Sequence, residues 1–260
     1  MLATIFAGTA RHPRLVMSGT AAVAAGSVGA QLLTSPESGV RHAIPALLSL
    51  VVLASSTLAV AAWVRPRPAA FAVDARNSAF RTLPSPGHVY NAATSALISA
   101  AQVAMQLIRP DAEQDPAFDR PSWHLLTGVL DGLSVVLVAL SIVLILAVWR
   151  GIDVQLRPEG LVSRDPFGTL TVPWEALAAD SLPRTGPTST SLLLTYARPD
   201  LVRRRGLPFS RRRIRTDTVN ALFLVDAVHH YLASPQHRQS IGTAAGYDAL
   251  LGALFGARPA

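Results

Sequence analysis

Residues 125–149 read LLTGVLDGLSVVLVALSIVLILAVW, and this stretch decides the architecture of the 260-residue chain. Its last 18 residues, from Gly132 onward, carry no charge, and Arg150 follows directly. A helix rises about 1.5 Å per residue, so a hydrocarbon core of about 30 Å requires roughly 20 apolar residues. The stretch therefore predicts a membrane span that divides an apolar half of the chain from an arginine-rich half.

Three earlier segments are also candidates for membrane spans. Residues 43–64 form a run of 22 uncharged residues between Arg41 and Arg65. Residues 15–33 are rich in alanine and glycine, and residues 89–108 are the least apolar because they include Asn91 and two glutamines. Hydropathy thus predicts a transmembrane domain over residues 1–150 with about four spans: 15–33, 43–64, 89–108 and 125–149.

The charges of the connecting segments support this count. Arginines precede the first span, four more lie between the second and third, and 14 lie from Arg150 onward, whereas acidic residues are concentrated in the segment between the third and fourth. Arginine-rich flanks mark the cytoplasmic side of a membrane. We therefore predict a multi-pass protein of the cell membrane with both termini in the cytoplasm.

The two weaker spans carry small residues at every fourth position. The two sets are Ser18, Ala22, Gly26 and Ala30 in the first span, and Ala92, Ala96, Ala100 and Ala104 in the third. A spacing of four places each set on one helix face, where another helix can approach closely. Each stripe predicts either a contact inside a compact bundle or a face for a second copy of the chain.

The half after Arg150 is typical of an antiparallel β-structure. Apolar and polar residues alternate over residues 152–157, and further strands are expected at 161–162, 169–173, 174–182, 191–197 and 211–216. Glycine-containing turns separate the first three strands. Apolar residues at helical spacing then predict a closing helix over 218–233, with Thr216 or Asp217 as its cap. A tail over 236–260 is expected to hold a short helix.

Five short motifs follow each other in order through this half. They are Pro158-Glu159-Gly160, Pro166-Phe167-Gly168, Pro173-Trp174-Glu175, Pro235-Gln236-His237-Arg238 and Ile241-Gly242-Thr243. Their order resembles the PH-like domain of bacterial, actinobacterial-type multi-pass membrane proteins, over about residues 151–250. The resemblance implies a PH-like domain over 151–235: a small, partly open β-barrel closed by a C-terminal helix. It also implies structural roles for Pro158, Gly160, Pro166, Gly168 and Trp174.

A cluster of seven arginines within 13 residues is the main candidate for a binding site. Its members are Arg203, Arg204, Arg205, Arg211, Arg212, Arg213 and Arg215. Beneath an anionic leaflet each would gain about 1 kcal/mol. The same charges would also protect a solvated edge strand from pairing. Nucleic acid is the least favoured partner for the cluster and is not expected.

The residue types leave little room for catalysis. The chain has no cysteine and no lysine, so thiolate, Schiff-base and P-loop lysine chemistry are excluded. Neither a G-x-S-x-G nucleophile turn nor a glycine-rich phosphate loop occurs. Adjacent histidines such as His229 and His230 point about 100° apart on a helix and cannot chelate one ion together. We expect no enzyme activity, no cofactor and no metal.

Two functions remain open at this stage. The first is a non-enzymatic membrane protein that displays a cytoplasmic PH-like domain to a protein partner, to another copy of itself, or to anionic lipid. The alternative is a small four-helix transporter, channel or ion-coupled sensor, for which Asp131 is the acidic residue within an apolar segment. Because Asp131 precedes the uncharged run, we place it at the outer interface instead.

Overall fold

The computed structural model describes residues 2–34, 39–112, 121–178, 182, 186–206 and 212–256. The chain divides into two compact units, Met1–Val64 with Pro86–Arg150, and Arg65–Ser85 with Gly151–Ala260. This division differs from the predicted domains in two respects. The second unit takes in residues 65–85 from the predicted transmembrane domain, and it includes the C-terminal tail.

The first unit is helical. Its helices are α1 (Leu2–Arg11), α2 (Pro13–Leu33), α3 (Gly39–Val64), α4 (Pro86–Ala112) and α5 (Pro121–Arg150). Among the described residues, three segments are long and apolar enough to cross a membrane, namely Pro13–Leu33, Ala43–Val64 and Gly132–Arg150. This composition places the protein in a membrane, because such lengths match the hydrocarbon core. The predicted span at 89–108 is helical as part of α4 but is not among these three.

Helix α4 lies at the centre of the helical unit. It packs against α1, α2, α3 and α5. Its predicted alanine stripe is buried, from Ala92 to Ala104, so the small side chains do allow close approach. The stripe of α2 behaves differently, since Ser18, Ala22 and Gly26 are exposed and the helix buries Met17 instead. Only the second stripe is therefore a packing face within the single chain.

Side-chain hydrogen bonds join α4 to three of its neighbours. The oxygen–oxygen pairs are Tyr90–Thr9 at 2.7 Å, Thr94–Ser55 at 2.8 Å, Ser99–Ser141 at 2.8 Å and Gln102–Ser134 at 2.9 Å. Bonds of this kind between helices in a membrane contribute about 0.6 to 2 kcal/mol each. Tyr90, Thr94, Ser99 and Gln102 thus face neighbouring helices, whereas Asn91 is exposed.

In the part of the second unit that the structure describes, there are two antiparallel sheets. Its strands are β1 (Ala72–Asp74), β2 (Ala79–Arg81), β3 (Asp153–Arg157), β4 (Gly160–Asp165), β5 (Gly168–Pro173), β6 (Ser191–Leu193), β7 (Arg203–Gly206) and β8 (Arg213–Arg215). One sheet has the order β1-β2-β3-β4-β5-β7, and β6 pairs with β8 in the other. Helices α6 (Ala221–Ala233) and α7 (Ala244–Phe255) follow. The predicted antiparallel region and its closing helix are confirmed.

Two local predictions for this unit are wrong. The described part of the predicted strand 174–182 is not a strand, since Trp174–Ala176 is a short 3-10 helix followed by a single bridge from Leu177 to Tyr196, and residues 179–181 lie outside the described residues. The Trp174 indole N–H donates to the Arg157 carbonyl at 2.9 Å, which holds the side chain inward at the turn. Helix α6 is capped by neither Thr216 nor Asp217. Asn220 Oδ1 accepts from the Leu222 and Phe223 amides instead.

The connection between α3 and α4 is part of this unit's core. Phe71 and Phe80 are buried in the same cluster as Trp174 and Leu224. In the sheet Phe80 lies opposite Leu156 of β3, and Arg81 forms an ion pair with the buried Asp153. The Phe71 amide also donates to the Tyr247 hydroxyl of α7 at 3.0 Å. Residues 65–85 and 151–256 therefore fold as one discontinuous domain, here called the β-domain.

This arrangement predicts how fragments of the chain fold. A fragment of residues 151–260 lacks β1, β2 and two buried phenylalanines, each worth about 3–5 kcal/mol against a typical total of 5–15 kcal/mol. We expect it to give no cooperative unfolding transition. A chain that joins residues 65–85 to residue 151 through a short Gly/Ser linker should unfold cooperatively in urea, followed by circular dichroism.

The matched control is the joined fragment carrying Phe80→Ala, which should lose most of its stability. The joined fragment carrying Val73→Ala, a change at an exposed position, should lose little stability. Cooperative unfolding of residues 151–260 alone would show that the loop is dispensable for the fold.

Candidate functional site

The arginine cluster is distributed over both sheets of the β-domain. Arg203, Arg204 and Arg205 form most of β7, at one edge of the six-stranded sheet, and Arg213 and Arg215 lie on β8. Arg212 lies in the turn just before β8, and Arg211 falls outside the described residues. The sequence did not predict β7 as a strand, since a run of charges has no period of two in hydrophobicity.

Strand alternation separates the arginines of β7 into two groups. Arg204 lies opposite Leu170, whose side chain is in the core, so both point to the same face of the sheet. Its side chain is 4% exposed and donates to Asp165 at 2.9 Å. Arg203 and Arg205 project from the opposite face and are exposed. Arg204 is therefore committed to an internal ion pair, and its two neighbours are available to a ligand.

The same alternation applies to β8. Ile214 is buried in the core, and Arg213 and Arg215 project from the opposite face. Arg215 donates to Asp217 at 2.5 and 3.0 Å, whereas Arg213 is exposed beside the exposed Leu193. Burial raises the pKa of the Tyr196 hydroxyl to about 12, and the charge of Arg212 acts in the opposite direction. Tyr196 therefore stays neutral at physiological pH.

Two residues next to β7 were missed by the sequence reasoning. Arg164 of β4 lies opposite Thr169, which lies opposite Arg205, so these three form one row across the sheet on its non-core face. Phe167 is 42% exposed in the turn between β4 and β5. The turn motif Asp165-Pro166-Phe167-Gly168 could have indicated this aromatic side chain. We call Arg164, Arg203, Arg205 and Phe167 the arginine face.

The remaining motifs hold the β-domain together. Gly160 has a φ of +155° and Gly168 approaches the carbonyl of Arg205, so neither position accepts a side chain. Pro158 lies in the turn before β4, and Pro166 in the next turn. Trp174 is buried with its ring 5.9 Å from that of Tyr231 on α6.

The C-terminal motifs fasten the tail to the sheet. The Arg238 guanidinium lies 5.3 Å from the centre of the Trp174 ring and donates to the Tyr231 carbonyl at 2.9 Å. Gly242 has a φ of +90° and packs against the backbone of Ser78, and Thr243 caps α7. The tail predicted to be separate is thus part of the β-domain.

The histidines come together in a way that the sequence did not predict. His230 on α6 and His237 in the following 3-10 helix have their ring nitrogens 3.2 Å apart. Among the described residues, no three His, Asp or Glu side chains are close enough to hold a metal ion.

Asp131 is the acidic residue that the alternative function would use. Its side chain lies outside the described residues. The polar side chains described above along α4 bond to neighbouring helices through hydroxyls and one carboxamide. They carry no charge and are hydrogen-bonded within the unit.

Comparison with protein-family models, curated proteins and solved structures finds no match for this chain. The resemblance to PH-like domains therefore stays a prediction from the motifs.

The histidine pair predicts that stability depends on pH. Burial, and then the neighbouring His237, lower the pKa of His230 below its usual 6.5. The unfolded chain therefore binds more protons near this pH, and stability should fall as the pH drops below about 6.5. In thermal unfolding of the full chain between pH 7.5 and 5, His230→Gln should reduce this loss.

The exposed His12, changed to Gln, is the matched control and should leave the pH dependence unaltered. An equal loss of Tm in wild type and His230→Gln would contradict the assignment.

Proposed function

We propose that this chain is a non-enzymatic, four-span membrane protein that holds its β-domain at the cytoplasmic surface, where the arginine face contacts anionic lipid headgroups. The observation that carries the proposal is the exposed Arg203 and Arg205 on the non-core face of the sheet, next to a turn that exposes Phe167. Membrane-surface contacts combine such features, since the aromatic ring enters the interface and the guanidinium groups pair with phosphates.

The count of four spans is supported by the sheet. β2 and β3 are adjacent strands, so the chain leaves the β-domain after Ser85 and returns to it at Gly151 on the same side of the membrane. Between these points it must cross an even number of times. The segment Gly132–Arg150 is a candidate span, and α4 then has to be the second crossing. Its helix of 27 residues reaches about 40 Å, which is sufficient.

A PH-like identity for the β-domain is part of the proposal. It is supported by antiparallel strands in two sheets, by α6 packed into their common core, and by the close fit of Trp174 and Arg238. The motifs that carry the resemblance lie at turns and packing contacts. They therefore support a fold and do not indicate a ligand.

The energetics favour a modest, reversible contact. Two or three arginines near an anionic surface contribute about 1 kcal/mol each. Tethering by the spans keeps the domain close to the bilayer, so even a weak contact is populated. A protein partner that offers acidic side chains to the same face is the main competing outcome. The alternative of a transporter, channel or ion-coupled sensor would place the function in the helices instead.

The topology is directly testable because the chain contains no cysteine. Single cysteines at Ser78, Glu37 and Gln114 report on the β-domain and on the two connections expected outside. In intact cells, a membrane-impermeant maleimide should label Glu37→Cys and Gln114→Cys and should spare Ser78→Cys until the cells are permeabilised. Labelling of Ser78→Cys in intact cells would overturn the proposed orientation.

The lipid contact is tested on the full chain in nanodiscs. A nitroxide on Phe167→Cys should become more accessible to oxygen and less accessible to a water-soluble nickel chelate when anionic lipid replaces neutral lipid. The double variant Arg203→Gln with Arg205→Gln should shift the equilibrium between the bound and the unbound β-domain toward the unbound state, by about 2 kcal/mol or roughly thirtyfold. Added salt should act in the same direction.

The control variant carries Arg76→Gln with Arg198→Gln, which removes two exposed charges outside the arginine face. It should leave the label's environment unchanged. A label that stays fully aqueous in anionic nanodiscs would end the lipid proposal and favour a protein partner.

A further inference from the structure

A cavity of about 670 Å³ lies between α3, α4 and α5 in the helical unit. This volume is within the range of about 300–1,000 Å³ that small ligands occupy in proteins. Its walls include Val52 and Leu53 of α3 and Ile98 and Met105 of α4. Leu53 and Met105 are also 65% and 58% exposed, so the cavity opens sideways between the helices. In a membrane, such an opening faces the lipid chains.

The hydroxyls in the wall are already occupied by protein acceptors. Ser49 donates to the Pro45 carbonyl at 2.8 Å, and Ser56 donates to the Val52 carbonyl at 2.7 Å. Ser134 donates to the Gln102 carboxamide oxygen at 2.9 Å. These bonds make most of the surface effectively apolar. Since the carboxamide oxygen accepts from Ser134, the amide nitrogen is the group through which Gln102 can donate to a ligand.

The two carboxamides of the cavity lie toward one of its ends, at about the same depth as Pro45 and Met105. Counting about 1.5 Å per residue from the end of each helix that joins the β-domain, Gln102 and Ser134 lie about 24 Å away and Gln106 about 30 Å away. Val52, Leu53 and Ile98 lie only about 16–18 Å away. For a hydrocarbon core of about 30 Å, Val52, Leu53 and Ile98 lie near the midplane, and the two glutamines lie toward the outer surface.

We infer that this cavity binds one acyl chain of an outer-leaflet lipid, with the Gln102 amide donating to the ester carbonyl. This orientation is that of an outer-leaflet lipid, whose chain points to the midplane and whose ester lies near the headgroups. Every described residue that lines the cavity is uncharged, which suits an ester and not a free carboxylate. The inference rests on the membrane placement of α4 proposed above and is independent of the arginine face.

The test uses the purified full chain in detergent and native mass spectrometry. The probes are palmitoyl-lysophosphatidylcholine, its hexadecyl ether analogue without the carbonyl, and sodium palmitate. We expect one saturable adduct with the ester, bound about threefold to tenfold more tightly than the ether, which is the effect of one hydrogen bond. In Gln102→Leu, the ester and the ether should bind equally.

A second variant separates the cavity from unspecific lipid association. Ala101 lines the cavity, and Ala101→Phe should fill it and remove the adduct. Ile142→Phe is the matched control, since Ile142 is exposed on α5 and does not line the cavity. Its adduct should match the wild type, and unchanged Tm values would show that each variant is folded.

Three results would overturn the inference. They are an adduct that survives Ala101→Phe, an ester preference that persists in Gln102→Leu, and palmitate binding that exceeds ester binding. The last of these would indicate a fatty-acid site. The absence of a lipid adduct would contradict this inference and would not affect the proposal for the arginine face. A failure of the nanodisc experiment would contradict that proposal and would not affect this inference.

Discussion

The pairing of β2 with β3 is the contact on which the rest of the molecule depends. Phe80 lies opposite Leu156, and Arg81 forms an ion pair with the buried Asp153, so a connection between two helices becomes an inner part of a six-stranded sheet. The pairing brings together the beginning of α4 and the end of α5. The chain can therefore cross the membrane only an even number of times between β2 and β3, because a sheet cannot form with its strands on opposite sides of a bilayer.

The least apolar long helix, α4, is also the one that packs most extensively against other helices, and the two properties are connected. A helix that faces lipid on most sides must be apolar, as α5 is, whereas a helix surrounded by others can carry Thr94, Ser99 and Gln102 if each finds a partner. Within a bilayer, close packing and hydrogen bonds replace the hydrophobic effect as the source of helix association. Hydropathy alone therefore ranks α4 lowest, although its alanine stripe and polar residues mark it as central.

The sequence predicted the elements that have a local signal and missed those that depend on distant partners. The strands β3 and β5 alternate regularly, and turns at Gly160 and Gly168 delimit β4 between them, so the order and pairing of the three strands follow from the residues alone. β1 and β2 have three residues each and acquire their conformation from contacts with β3 and Tyr247. Within the arginine cluster, only the strand register distinguishes the buried Arg204 from its exposed neighbours. The sequence shows which residues are charged, but not which face of the sheet each side chain occupies.

Direction matters more than number for the electrostatics of this domain. Arg204 and Arg215 are paired with Asp165 and Asp217, so part of the positive charge of the C-terminal half is cancelled within a few ångströms. A paired charge of this kind adds little to the field felt by a surface beyond a Debye length of about 8–10 Å. Arg164, Arg203 and Arg205 instead share one face of the sheet, next to the turn that exposes Phe167, and their fields add there. A weak, oriented contact therefore requires few arginines, provided that alternation places them together.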